Sequence, residues 1–196
     1  FKVIRVTFRS LRSDIGKIYP NGPDVPIPAF VLRKSETGGW YKNGLIQRRC
    51  TGNYKIKPVV REIRKQIGIY KKRTPPGILV DQWMGISTNE AQRMKPSRES
   101  FIRHRWPLIE KGMNRWDCIR WMQKHYDLTP PRSACTFCPF HSNEEWRNLK
   151  ENYPEDFADA VKVDSEIRGM YYMGEESEAG EFYLHSSCVP LADAEL

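Results

Sequence analysis

Gly77-Ile78-Leu79-Val80-Asp81-Gln82-Trp83-Met84-Gly85-Ile86 is a short apolar run bounded by glycine. It predicts a buried strand, and a near-continuous apolar run favours a parallel sheet covered on both faces. The polar segment 87–100 follows it, and Arg105-Trp106-Pro107-Leu108-Ile109 predicts a second short strand, placed near a sheet edge by Pro107. Downstream, Asn114 with Asp117 three residues on predicts a helix start, the helix running to about Tyr126 with Cys118 in its first turns and Ile119 and Met122 inward. Ser142-Asn143-Glu144-Glu145 is a second capping box, opening a helix with Trp146 and Leu149, and Pro154 opens a last helix through Phe157, Val161 and Ile167. Upstream, Val59, Val60, Ile63 and Ile67 form one apolar stripe of a helix over 58–67 that Gly68 ends. Residues 2–8 alternate as a strand. Residues 14–44, rich in Pro and Gly, predict a long connecting loop, and the acidic, Gly-rich 174–181 a mobile one. Strands alternating with helices point to an α/β domain.

The 196 residues suffice for one ordinary domain, 39% hydrophobic and 29% charged. No apolar stretch approaches the roughly 18 residues needed to span a membrane, and no signal peptide is visible, so a cytoplasmic location is expected. Charge is polarised. Residues 1–75 carry 18 Lys/Arg against 4 Asp/Glu, and residues 142–196 carry 4 against 14. A basic half suggests an anionic partner, a nucleotide or nucleic acid; the plainer alternative is an acidic C-terminal cover packed across basic surface.

Five cysteines without a secretory signature argue against a disulfide framework and for metal-bound thiolates. Cys135-x-x-Cys138-Pro139 is shared by zinc, redox and iron–sulfur sites, and proline directly after a thiolate is a feature of bacterial cluster runs. Cys50 and Cys118 are further candidate ligands, with Cys188 left over. Phe137 and Phe140 would shield a centre from water. A redox dithiol needs Cys at a helix start, whereas the next helix opens at Ser142. Arg48, Arg49, Lys55 and Lys57 cluster before the helix at 58–67, where phosphate or sulfate groups are favoured. Glu90 and Arg93 follow the strand at 78–86, at the carboxyl edge where α/β sheets place ligands, although at this spacing they also suit a simple ion pair.

In order, Arg49-Cys50-Thr51-x-x-Tyr54-Lys55-Ile56-x-Pro58, Trp83-Met84-Gly85-Ile86-Ser87-x-x-Glu90-x-x-Arg93, Arg105-Trp106-Pro107-Leu108-Ile109, Arg115-x-Asp117-Cys118 and Ser133-x-Cys135-x-x-Cys138-Pro139-Phe140 resemble the phosphoadenosine phosphosulfate reductase-like family of the adenine nucleotide α-hydrolase superfamily. The resemblance is nearest to its phage and actinobacterial members, and more distant to the sulfurtransferase subunit of DNA phosphorothioation systems. It implies a Rossmann-like parallel sheet, here N-terminally incomplete, with a nucleotide-binding core over 1–112 and a helical Cys-rich part over 113–196. It also implies an adenine nucleotide (ATP or the phosphosulfate) held by Arg48, Arg49, Lys55, Lys57 and Arg93. A [4Fe–4S] cluster would sit on Cys50, Cys135 and Cys138 with Cys118 as fourth thiol; zinc is the alternative. The expected activity is sulfur transfer or reduction with a nucleotide or nucleic acid (tRNA or DNA), with Glu90, Arg93 and Cys188 as catalytic candidates. The family's Ser-Gly-Gly-x-Asp-Ser phosphate loop is absent and would precede Phe1. The Glu-Cys-Gly-x-His tail of true sulfate reducers is absent too, which favours sulfur transfer or an uncharacterised activity. The alternatives are a degenerate metal-stabilised nucleic-acid-binding module and a zinc-structured thiol reductase using Cys188.

Overall fold

The computed structural model describes residues 3–7, 9–19, 22–23, 25–130, 133–170 and 180–196. Its helices are α1 (Leu11–Asp14), α2 (Lys57–Gln66), α3 (Pro107–Glu110), α4 (Arg115–Tyr126), α5 (Asn143–Asn152) and α6 (Pro154–Ile167). Its strands are β1 (Ile18–Tyr19), β2 (Gly22–Pro23), β3 (Phe30–Lys34), β4 (Trp40–Leu45), β5 (Val80–Trp83), β6 (Ile102–Arg105) and β7 (Gly180–Tyr183). The class is mixed α/β. Two compact units form, one from Phe1–Ile67 with Ala134–Leu196, the other from Gly68–Ser133. Both expected parts, 1–112 and 113–196, contribute to each unit.

The first unit holds a three-stranded antiparallel sheet in the order β4-β3-β7. Its core gathers Val25, Ile27, Ala29 and Val31 with Phe182 and Leu184, Trp146 of α5, and Phe157, Ala160, Val163 and Ile167 of α6. The stretch expected to be a loop over 14–44 is therefore corrected. It supplies a β1–β2 pairing, two strands of the main sheet and the middle of the core. Pro26 and Pro28 are buried beside their apolar neighbours, so in this segment the prolines belong to the core and not to a surface turn. β4 lies along the sheet's edge with every residue exposed. The strand expected over 2–8 is also corrected: residues 3–7 belong to no strand, and Val3 and Ile4 are exposed. Lys2 and Phe8 lie outside the described residues, as does most of the expected 174–181 loop; its last two residues instead begin β7.

Buried polar groups tie this unit together. Asp164 on α6 is 2% exposed and accepts from the Leu184 N–H at 2.7 Å, the Leu191 N–H at 3.1 Å and Arg168 Nη2 at 2.5 Å. Arg168 also lies 3.5 Å from the centre of the Tyr183 ring. Burial and the hydrogen bond to Glu181 push that phenol up to about 12. Buried Asp14 accepts from Lys17 at 2.7 Å and from the Tyr54 hydroxyl at 2.8 Å, and the Lys17 bond chiefly holds its carboxyl below the ordinary range. Arg12 bridges Asp159 and Glu166, both at 2.7 Å.

His185 is buried among the same segments. Its Nδ1 accepts from the Ser187 N–H and sits 2.6 Å from Ser187 Oγ, while Nε2 donates to Asn143 Oδ1 at 3.0 Å. Asn143 Nδ2 in turn donates to the Glu195 carbonyl. The chain of bonds fixes the C-terminal segment to the start of α5 and requires a neutral imidazole. Burial pushes the His185 pKa down; Asp164 opposes and Lys42 adds to the shift. The unfolded chain thus takes up this proton first, so the His185 contribution is complete above about pH 6.5 and is lost as pH falls below that value toward the folded one. Denaturant midpoints measured from pH 8 down to about 5.5 should fall further for the wild type than for His185→Gln. Equal falls would remove His185 from the account.

The second unit contains the parallel pair β5–β6, with Val80 opposite Ile102 and Trp83 opposite Arg105. Parallel pairing matches expectation, but burial does not: Leu79 and Trp83 are exposed, and β5 alternates between half-buried and exposed. The strand expected over 105–109 ends at Arg105, because Pro107 takes the first turn of α3, where its missing N–H costs nothing. Both expected capping boxes form, Asn114–Asp117 at α4 and Ser142–Glu145 at α5. Gly68, at φ 72°, ends α2. The α2 stripe is only half covered, with Val59 exposed.

Candidate metal centre

The first unit contains three of the expected thiols, and two of them, Cys50 and Cys135, pack against its core. Cys135 and Cys138 stand on two successive tight turns, in which the Cys138 N–H donates to the Cys135 carbonyl at 3.0 Å and the His141 N–H to the Cys138 carbonyl at 3.1 Å. Phe137 between them is buried in the core, and Cys135 packs against that core. Cys50, also packed there, opens a wide π-helical turn over Thr51–Ile56 that leads directly into α2. The Lys57 N–H closes that turn onto the Gly52 carbonyl, five residues back. Such wide turns occur often at functional sites.

The electrostatics of Cys135 show which groups share its surroundings. Burial chiefly pushes the thiol up, and Cys138 and Cys50 push it further, while Lys55 and Arg48 pull it down. Two further thiols and two cations therefore lie within electrostatic reach of Cys135. Arg48 also stacks on Phe140, 5.4 Å from the ring centre. His141 meets the buried Trp146 edge-on at 4.6 Å. The Thr51 hydroxyl, next to Cys50 in the chain, is buried and has no hydrogen-bond partner among the described residues.

This donor set fits a soft, thiophilic centre. Thiolates are its natural ligands, and Lys55 and Arg48 offset charge that three thiolates would bring into a half-buried site. The thiols are neighbours rather than a closed cage: among the described residues no three Cys, His, Asp or Glu side chains are already gathered as a metal-holding group.

The remaining expected site residues have surroundings of their own. Cys118 stands half-buried on α4, in the second unit. Arg49 donates to the Val25 carbonyl at 2.6 Å, and Lys57 to Asn53 Oδ1 at 2.8 Å. Glu90 and Arg93 pair with each other in a 3₁₀ turn over Thr88–Arg93 that follows β5. Cys188 is buried with its thiol pushed up by burial, the opposite of an activated nucleophile. Sequence reasoning did not find the Arg48–Phe140 stack or the electrostatic reach of Lys55 to Cys135; no spacing rule announces a π-helical turn.

No family model, curated protein or solved structure matches this chain. No described helix is long and apolar enough to cross a membrane.

Proposed function

We propose that Cys50, Cys135 and Cys138 hold a soft-metal centre, a [4Fe–4S] cluster with zinc as the alternative, in an enzyme like the phosphoadenosine phosphosulfate reductases that uses an adenine nucleotide for sulfur transfer or reduction. The observation that carries this reading is that Cys50, Cys138, Lys55 and Arg48 all lie within electrostatic reach of Cys135, with Cys50 and Cys135 packed on one core. The resemblance supplies Cys118 as fourth thiol. Bound there, a cluster would supply thiophilic iron to bind or carry sulfur. The chain's own contribution is to hold the thiols on rigid turns, to exclude water with Phe137, and to place Lys55 and Arg48 where they offset anionic charge. The nucleotide part of the reading is supported in the second unit. There β5 and β6 run parallel, and the Thr88–Arg93 turn and α3 follow their carboxyl ends, the edge at which such sheets take ligands.

Metal analysis of anaerobically purified protein tests the reading. The expected result is iron and acid-labile sulfide in matching amounts with broad visible absorption. Zinc alone selects the alternative, and protein that holds neither metal after reconstitution contradicts the proposal.

A further inference from the structure

The charge asymmetry resolves differently once the units are known. The first unit carries 19 Lys/Arg against 18 Asp/Glu, because its basic N-terminal stretch and its acidic C-terminal stretch fold together, as in the pairing of Arg12 with Asp159 and Glu166. The second unit carries 13 against 6, which is nearly all of the chain's +8. It also holds four of the six tryptophans.

Three of those rings are open to solvent: Trp83 is 74% exposed, Trp116 65% and Trp121 48%. On α4, Trp121 lies 4.6 Å from the His125 ring and 5.7 Å from that of Tyr126, itself 65% exposed, so the three rings form one continuous aromatic surface. Lys124 is exposed within the same turn. Helical spacing puts Trp116, Arg120 and Lys124 on a common face. Arg120 pairs with Asp117 and keeps most of its side chain exposed.

We infer that α4 is a binding surface for single-stranded nucleic acid, with bases stacking on Trp121 and Tyr126 and phosphates meeting Lys124 and its basic neighbours. Large flat rings left in water are costly unless something covers them. The positive charge of the unit selects an anionic cover and opposes a second copy of the same unit. Bases supply flat π-faces and the backbone supplies regularly spaced negative charge, the combination such platforms use. The inference stands whether or not the thiols hold metal.

The test is fluorescence anisotropy of a labelled single strand of about 20 nucleotides, longer than the roughly 4–16 nucleotides such surfaces cover, with the full chain. The wild type should bind with quenching of its tryptophan emission. The double variant Trp121→Ala/Tyr126→Ala should bind about tenfold or more weakly at constant salt. Lys124→Gln should instead flatten the dependence of log affinity on log salt by about 0.7. All substituted side chains are exposed, so circular dichroism of the variants should match the wild type. Three results overturn the proposal: no binding by the wild type, unchanged affinity in the double variant, or a sedimentation shift showing that the rings join two copies of the chain.

Discussion

Asp164→Ala should lower the folding free energy by about 3–5 kcal/mol, as expected for removing one partner from a buried, hydrogen-bonded charge pair. The carboxylate serves three donors from different places in the chain. The Leu184 and Leu191 N–H groups fix the segment after β7, and Arg168 is held beneath Tyr183. Alanine would leave two buried N–H groups and a largely buried guanidinium without their acceptor, and each unmet donor costs about 1–3 kcal/mol. Asp164→Asn should recover only part of the loss, since its amide offers one acceptor oxygen and presents N–H to the other donors. Urea unfolding followed by circular dichroism measures both. A cost below about 1 kcal/mol for alanine would mean that this carboxylate does not organise the unit.

Cys135→Ser should abolish the stabilisation that metal confers. A ligand that binds only the folded chain stabilises it by about 4 kcal/mol at a thousandfold excess over its dissociation constant. The wild type should therefore unfold at a clearly higher denaturant concentration when metal-loaded than after chelation, and Cys135→Ser should unfold near the chelated wild type under both conditions. Serine nearly preserves shape, and Cys135 is only half-buried, so the metal-free variant should retain the wild-type metal-free midpoint. A variant that still gains stability from metal would remove Cys135 from the ligand set.

Local signals carried much of the secondary structure. The capping boxes at Asn114 and Ser142, the glycine stop at Gly68 and the proline start at Pro154 depend on residues within one turn, and all four form. Features set by distant partners were not legible. Val25, Ile27, Ala29 and Val31 lie in a Pro- and Gly-rich stretch, and they become core only because β3 pairs with β7 from the far end of the chain and α6 packs in the same cluster. β7 itself, Gly180-Glu181-Phe182-Tyr183, is too short to announce a strand by periodicity. Charge was read by halves of the sequence, whereas the fold joins the basic first stretch to the acidic last one. At the candidate site, Cys135 and Cys138 stood out by their spacing and Cys50 by its place just before a helix, and the fold puts all three in one unit. Arg48 and Lys55 were expected to hold phosphate or sulfate, but their reach to Cys135 was not legible, since the wide turn at Thr51–Ile56 that carries Lys55 has no sequence signature.

The most direct measurement is the metal content per chain of four single serine variants, at Cys50, Cys135, Cys138 and Cys188, each purified anaerobically beside the wild type. The account predicts that the first three lose the metal and its absorption, while Cys188→Ser, altering a thiol outside the expected ligand set, keeps the wild-type complement. Full metal content in the Cys50, Cys135 and Cys138 variants, or its loss only in Cys188→Ser, would contradict the thiol centre.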